Sequence, residues 1–261
     1  MGLETFPLLD AFQESGACPF CRLAEKLEQS FMQEYLDELV MDYEYRGRIE
    51  KFGLCPRHLT LFYAGFDKLG LALTVQSMLS TVRREMNVLK NAYSRDGAAE
   101  GVLRALKRQG QRARAGGDAL SHFEAYVNGR ECVVCHSLTA GIERYAATAV
   151  QAFAEDPQFK SAYETSPGLC LSHFAVVIRT ARTLLRKPDF GSLFQVTVRK
   201  MERDLDQVES NLTRFVRAHD YRFSHEPGES LTAAVHDAVN LFTGLPVSGI
   251  RPGPGLRATK G

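Results

Sequence analysis

The chain has 261 residues, with 32 Lys and Arg against 31 Asp and Glu, and a formal net charge of +1. This balance disfavours proteins that bind nucleic acid or anionic membranes through overall positive charge. With 44% hydrophobic and 24% charged residues, the composition is that of a globular protein with a substantial core. No apolar run approaches the roughly 18 residues that a membrane-spanning helix needs, so we expect none.

The N-terminal segment lacks the basic and apolar regions of a signal peptide, so we expect a cytoplasmic protein. In the cytoplasm thiols stay reduced. Patterned cysteines there more often bind metal or carry out redox chemistry than form structural disulfides.

The first half of the chain predicts a short leader followed by three helices. Apolar residues at helical spacing follow Cys21 up to a break near Asp42, and a short second helix then ends at Gly53. A Cys-x-x-His motif opens the next segment, and a long third helix is indicated by apolar residues three or four positions apart: Leu71, Val75, Met78, Val82, Met86, Leu89 and Tyr93. We therefore assign residues 1–95 to a first helical repeat with its leader.

Residues 96–128 are predicted to be a linker. They contain a basic tract from Arg104 to Arg114, but it has no interleaved aromatic residues and acidic residues flank it. This pattern favours a solvated surface over nucleic-acid binding.

Residues 129–243 repeat the helical pattern of the first half, with a break near Asp156 and Pro157. The long helix here has a heptad stripe: Val198, Met201, Leu205, Val208, Leu212 and Phe215. We interpret it as packing within a helical bundle, and a homodimer through this stripe is the alternative. Residues 244–261 are rich in Gly and Pro and are predicted to be a disordered tail.

All six cysteines fall into a duplicated pattern. Each half has a Cys-x-x-Cys pair followed, after nearly the same spacing, by Gly-Leu-Cys-x-x-His. The first set is Cys18, Cys21, Cys55 and His58, and the second is Cys132, Cys135, Cys170 and His173. We interpret this as an internal duplication within an all-α helical bundle.

Thiolate and imidazole are ligands that Zn²⁺ prefers, and three Cys with one His form a common closed structural set. The pattern therefore predicts two zinc ions per chain, one in each repeat. Two alternatives use the same residues: an iron–sulfur cluster or a redox dithiol. Cys132-Val-Val-Cys135-His136 also matches a c-type haem attachment string, but the first repeat has Arg22 in the place of His136.

The long spacer between the motifs leaves a geometric question. A helix of about 20 residues carries the chain about 30 Å, so a site within one repeat requires the chain to turn back. Otherwise the Cys-x-x-Cys of one repeat would meet the Cys-x-x-His of the other. We expect the sites to form within each repeat.

A polar cluster at His219–Glu229 contains groups able to carry out acid–base chemistry, and it is the basis for an alternative prediction of an enzyme. Sequence signatures of nucleotide-binding loops, serine hydrolases and zinc proteases are absent. Four soft ligands at each site favour structural ions over catalytic ones. The sequence thus predicts a zinc-stabilised scaffold that binds a protein partner rather than an enzyme.

The ordered set of motifs resembles the bacterial family designated domain of unknown function 6062. The resemblance covers the chain to about residue 244 and lies in residues 3–11, the four cysteine motifs and His219–Phe223. Family members continue with a Trp-Gly step after that point, whereas this chain has Glu226-Pro227-Gly228 and no Trp. The resemblance implies a bacterial cytoplasmic helical protein and no particular activity.

Overall fold

The computed structural model describes residues 5–37, 42–65, 68–93, 119–128, 132–218 and 232–244. Within these ranges every regular element is an α-helix, which confirms the predicted all-α class. The helices are α1 (Thr5–Gln13), α2 (Pro19–Asp37), α3 (Tyr43–Phe52), α4 (Pro56–Ala64), α5 (Lys68–Tyr93), α6 (Ala119–Asn128), α7 (Val133–Glu155), α8 (Pro157–Thr165), α9 (Leu171–Leu184), α10 (Lys187–Ala218) and α11 (Thr232–Thr243).

Three features predicted from the sequence lie outside the described residues: the basic tract Arg104–Arg114, the polar cluster His219–Glu229 and all but the first residue of the predicted tail. The last ten residues of the predicted linker form α6, which packs against α5. None of the described helices combines the length and the apolar character needed to cross a membrane.

The chain divides into two compact units. Unit 1 contains residues 1–27 and 140–261, and unit 2 contains residues 28–139. Both divisions fall inside helices, one within α2 and the other within α7.

Asp side chains begin the short helices that follow the predicted breaks. Asp156 accepts hydrogen bonds from the backbone N–H groups of Gln158 and Phe159, and Pro157 occupies the first position of α8. Asp42 caps α3 in the same way. These caps satisfy amides that have no partner within the helix, so the breaks follow directly from local sequence.

The core of unit 1 is built around aromatic side chains from α1, α7 and α8. Phe12 stacks on Tyr163 with ring centroids 5.3 Å apart and meets Phe159 edge to face at 5.2 Å. The Tyr163 hydroxyl pairs with that of Thr197 at 2.8 Å. In the same unit, α9, α10 and α11 pack against one another.

In unit 2, α5 packs against α3, α4 and α6. Tyr35 of α2 stacks on Tyr45 of α3 at 4.8 Å. Ile49 and Phe62 are fully buried in the same cluster. The two ends of the chain segment that forms unit 2, Glu28–Asp37 and residues 132–139, both contribute to its core.

Lys200 of α10 is buried in unit 1. Its Nζ donates to the carbonyl of Tyr163 at 2.5 Å and to Ser166 Oγ at 2.7 Å, and so satisfies groups at the C-terminal end of α8. Burial, together with the nearby charge of Arg203, lowers the pKa of Lys200 from 10.5 to about 8.

This shift predicts a pH-dependent stability. Between about pH 8 and 10.5 the folded protein has released a proton that Lys200 retains in the unfolded chain. The free energy of unfolding contributed by this group therefore rises with pH across that window. In urea unfolding at several pH values, Lys200→Met should lose this rise. The control is Lys187→Met at an exposed lysine of the same helix, and an unchanged pH dependence in Lys200→Met would refute the assignment.

Candidate metal centres

Each of the four cysteine motifs begins at the residue that precedes a helix. Cys55 and Cys170 are the N-caps of α4 and α9, with extended backbones and carbonyls that accept the first helical hydrogen bonds. Cys18 and Cys132 directly precede α2 and α7, and their carbonyls accept in the same way. This confirms the expectation that the Cys-x-x-His motifs open helices.

This placement favours ligand geometry and thiolate charge together. The second ligand of each motif lies three residues after the first, on the same side of the first turn. Backbone N–H groups at a helix N-terminus carry partial positive charge and stabilise thiolates nearby. The local sequence at each helix start therefore positions two ligand side chains next to each other.

In unit 1 the four ligand atoms of Cys18, Cys21, Cys170 and His173 lie within 4.8 Å of one another. We call this group site 1. His173 Nδ1 is 3.6 Å from Cys18 Sγ, 3.4 Å from Cys21 Sγ and 3.2 Å from Cys170 Sγ. The Sγ atoms of Cys21 and Cys170 are 3.7 Å apart.

In unit 2 a matching group, site 2, consists of Cys55, His58, Cys132 and Cys135. His58 Nδ1 is 3.2 Å from Cys55 Sγ, 3.3 Å from Cys132 Sγ and 3.4 Å from Cys135 Sγ. The Sγ atoms of Cys55 and Cys135 are 3.9 Å apart. All eight residues singled out from the sequence thus fall into two groups positioned to hold metal ions.

The expectation that each sequence repeat closes its own site is wrong. Site 1 joins the first Cys-x-x-Cys to the second Cys-x-x-His, and site 2 joins the second Cys-x-x-Cys to the first Cys-x-x-His. The reason is helix length. The 19 residues of α2 carry the chain about 28 Å from its start, whereas the 10 residues of α3, even fully reversed, return only about 15 Å.

The cysteines are free thiols rather than disulfides. The sulfur separations of 3.7 and 3.9 Å are far longer than the roughly 2.05 Å of a disulfide bond. Separations of this size are those of sulfurs that share a central ion.

Site 2 has a carboxylate behind its histidine. Glu28 Oε1 lies 2.8 Å from His58 Nε2, and Arg57 donates to the other carboxylate oxygen at 2.8 Å. The hydrogen bond from His58, followed by the charge of Arg57, holds the pKa of Glu28 below its usual range against the effect of burial. An ionised Glu28 fixes the imidazole with Nδ1 free to face the thiols, as carboxylates do behind many metal-bound histidines.

Site 1 is enclosed differently. The ring of His173 lies against Phe20, with centroids 5.6 Å apart. Gly244 follows α11 with φ of +66°, and a Cβ there would lie 2.9 Å from Cys170 Sγ and 3.4 Å from Cys21 Sγ. Only glycine lets the backbone approach the sulfurs so closely. Within the described part of the chain, no carboxylate contacts His173.

Without a cation, the thiols of each group cannot all ionise together. In site 2, burial opposes ionisation of Cys132, yet hydrogen bonds from His58 and the backbone lower its pKa to about 6. Burial and the charges of Cys132 and Cys55 raise the pKa of Cys135 to about 12. In site 1 the hydrogen bond between Cys170 and Cys21 raises the pKa of Cys21. Hydrogen bonds from Cys18 and Cys21 lower that of Cys170.

The histidines respond in the opposite sense. Burial lowers the pKa of His58, but hydrogen bonds to Cys132 and Glu28 outweigh it and raise the pKa to about 10. Burial likewise lowers the pKa of His173, and hydrogen bonds to Cys170 and Cys18 raise it to about 9. Protons thus supply the positive charge that each cluster needs, and a divalent ion at the centre would replace them.

His136, the histidine of the haem attachment string, is exposed and stacks on Phe52 at 4.8 Å. It does not belong to site 2, where His58 supplies the imidazole.

Sequence reasoning missed Glu28. Its position on an amphipathic helix is typical of a surface residue, and it is far in sequence from His58. One signal was present: when Cys21 is matched to Cys135, Glu28 falls opposite Ile142. A carboxylate in one half where the other half has an apolar residue marks a difference between the halves.

Comparison with known proteins identifies the family. Residues 1–247 match the family of unknown function DUF6062. The chain belongs to this family. The description of the family assigns no activity. One relative is the "Uncharacterized 23.9 kDa protein in xynA 3'region" of Caldicellulosiruptor sp. (strain Rt8B.4), and its name assigns none either. That protein is 24% identical over 218 residues, which is 84% of this chain and 89% of the relative. No solved structure matches the chain.

Paired substitutions can distinguish the crossed arrangement from sites within each repeat. Cys18→Ser with Cys170→Ser removes two ligands of site 1 and should leave about one metal ion per chain. Cys18→Ser with Cys55→Ser damages both sites and should leave almost none. Elemental analysis of the purified variants measures this. The reverse pattern would show that the sites form within each repeat.

Glu28→Gln should weaken metal binding at site 2 by about 10- to 100-fold, because the neutral amide no longer holds the His58 imidazole as a carboxylate does. Competition with a chelator should show one weakened site and one unchanged site. Glu34→Gln, at an exposed position of the same helix, is the matched control. Equal affinity in wild type and Glu28→Gln would exclude this role.

Proposed function

We propose that the protein binds two Zn²⁺ ions, one at site 1 and one at site 2, and that these ions stabilise a helical scaffold that binds a protein partner. The observation that carries the proposal is the convergence of three sulfurs and one imidazole nitrogen in each compact unit.

The interatomic distances support a tetrahedral ion. Zn–S bonds of about 2.3 Å and Zn–N bonds of about 2.1 Å place neighbouring ligand atoms about 3.5 to 3.8 Å apart. The observed sulfur–nitrogen distances run from 3.2 to 3.6 Å, and one sulfur pair in each site is 3.7 or 3.9 Å apart. All four ligand atoms of each site lie within 4.8 Å of one another.

The completeness of both ligand sets favours a structural role. A catalytic zinc usually keeps one position for water or substrate, whereas four protein ligands close the coordination shell. Each ion would join the N-termini of two helices from separate parts of the sequence, so metal binding would contribute directly to the free energy of folding.

The finer parts of the proposal rest on the sequence. They are an origin of the two halves by duplication, a bacterial cytoplasmic location and a protein partner. The matching order of motifs supports duplication, and reduced thiols suit a cytoplasmic protein. Several large apolar side chains on α10 and α11 are exposed and suit a partner surface or, in the alternative, a homodimer: Leu205, Val216, Val235 and Phe242.

Natively purified protein should contain about two zinc ions per chain and be colourless, because zinc has a filled d shell. Removing the ions with a strong chelator should lower the melting temperature by more than about 10 °C, since binding energy is lost from the folded state only. Elemental analysis, an absorbance spectrum and a thermal melt with and without chelator make the measurement. Iron with acid-labile sulfide and visible absorbance would instead establish an iron–sulfur protein.

A further inference from the structure

The two sites differ in how far solvent reaches their sulfurs. Of the six cysteines, all of which lie within the described residues, Cys135 alone is exposed, and Cys55 is half-buried. The Sγ atoms of these two residues are 3.9 Å apart at an exposed edge of site 2. Another molecule must reach a thiolate before it can react with it, so Cys135 is the ligand most open to thiol chemistry.

Site 1 provides an internal comparison. Its Cys21 and Cys170 sulfurs are closer together, at 3.7 Å, but this pair is partly buried. Cys170 itself is buried, and the backbone at Gly244 lies so close to it that a Cβ there would be 2.9 Å from Cys170 Sγ. Exposure, rather than the distance between sulfurs, therefore distinguishes the two pairs.

The cleft beside site 1 is negatively charged. It has a volume of about 610 Å³, and the three cysteines of site 1 form part of its wall. Among its described lining residues, three carboxylates outnumber one guanidinium: Glu25, Asp204, Asp237 and Arg22. An anionic reagent is therefore repelled from the side on which the sulfurs of site 1 are approached.

Site 2 has basic side chains near its exposed edge. Arg48 of α3 donates to Ser137 Oγ at 3.1 Å, two residues beyond Cys135. Lys51 of the same helix lies over the Phe52 ring, which stacks on His136. Both cations thus lie at the start of α7, where Cys135 is exposed. Their charge attracts an anionic reagent to this edge.

We propose that Cys135 is a modification site that exchanges with an anionic low-molecular-weight disulfide, of the chemical class of glutathione disulfide. An ion at site 2 holds Cys135 as a thiolate, the reactive form. This thiolate attacks one sulfur of the reagent, forms a mixed disulfide and releases one thiolate. The Cys55 thiolate then attacks Cys135 Sγ and displaces the second thiolate. The two cysteines are oxidised by two electrons to one disulfide, and the reagent is reduced to two thiolates.

This inference rests on the proposed function, because the reacting thiolates are ligands of the ion at site 2. The disulfide requires the two sulfurs to close from 3.9 Å to about 2.05 Å, and neither sulfur then remains a thiolate ligand. Site 2 retains only His58 and Cys132 and releases its ion, whereas site 1 keeps its own. The protein thus loses one of its two ions when the disulfide reagent is present.

Treating the full chain, with its native metal, with millimolar glutathione disulfide tests the inference. A chromogenic chelator measures the released metal, and peptide mass spectrometry maps the disulfides. About one of two zinc ions per chain should be released, together with a Cys55–Cys135 disulfide and an unmodified Cys21. Release of both ions, release of neither, or a disulfide between other cysteines would overturn the inference.

Elemental analysis before treatment tests the proposed function separately. Untreated protein without bound metal would refute the proposed function, whereas a Cys55–Cys135 disulfide mapped in that protein would still support Cys135 as the modification site.

The repeated motifs supply matched variants. In Cys55→Ser the second step has no thiolate, so one glutathionyl group should accumulate on Cys135. Cys170→Ser is the equivalent change in site 1, and much less should accumulate on Cys21. Circular dichroism confirms that each variant is folded. Equal modification of Cys135 and Cys21 in these two variants would refute the preference for site 2.

The charge preference has its own variant. Arg48→Gln should slow the reaction with glutathione disulfide by about two- to threefold, because one attractive charge is lost, and should leave the reaction with neutral 2-hydroxyethyl disulfide unchanged. Arg46→Gln, at an exposed position two residues earlier on α3, is the matched control and should have a smaller effect. An unchanged rate in Arg48→Gln would contradict the preference for an anionic reagent.

Discussion

Each compact unit depends on bringing two helix N-termini to one point. Three thiols and an imidazole can share an ion only if their donor atoms lie less than about 4 Å apart, and no single helix can present four such atoms. The chain meets this requirement by placing the first ligand of each motif at the residue before a helix and the second ligand at the third residue of that helix. Two ligands then project together from the N-terminal turn of each helix. The same N-termini carry backbone amides whose partial charge favours the thiolate form. Geometry and electrostatics therefore come from one local feature, used four times.

The crossed pairing explains why the compact units do not follow the order of the sequence. Site 1 joins Cys21 to Cys170, which are 149 positions apart, whereas the thiols of Cys55 and Cys135 in site 2 are 80 positions apart. Unit 1 accordingly takes residues from both ends of the chain and unit 2 from its middle. The entropy cost of closing a flexible loop grows only with the logarithm of its length. Pairing within each repeat would instead close loops of 34 positions (Cys21 to Cys55) and 35 positions (Cys135 to Cys170). The crossed loops are about four and two times longer, which adds only about 1.3 and 0.7 kcal/mol to the cost of closure. Loop length thus opposes crossed pairing only weakly. The lengths of α2, α3, α7 and α8 make the selection, because the outward helices are about twice as long as those that follow them.

This contrast also explains what the sequence could and could not predict. Ligand types, helix starts at Cys55 and Cys170, and the break at Asp156 depend on neighbours a few residues away, and all were predicted from the pattern. Which pairs meet depends on distances across the fold. The spacing between motifs is nearly equal in the two halves and does not distinguish them. The signal lay in the helix lengths, because each long helix is followed by one too short to return to its start. The role of Glu28 was hidden for a related reason: its partner His58 is 30 positions away, and an acidic residue on an amphipathic helix is ordinarily solvated. Gly168 matches Gly53 in the repeated pattern, so the same position just after a helix end is expected for it. Instead Ser166 caps α8, and Gly168 makes room for the Asp204 carboxylate.

Equal donor sets do not imply equal roles for the two sites. In site 2, Glu28 pairs with the His58 imidazole and is itself held by Arg57. A carboxylate that orients a ligating histidine in this way strengthens metal binding. In site 1 the imidazole rests on Phe20, and three ligand cysteines form part of the wall of a cleft. The two sites therefore share the same ligand atoms but differ in what fixes the imidazole, which is a carboxylate in site 2 and an aromatic ring in site 1.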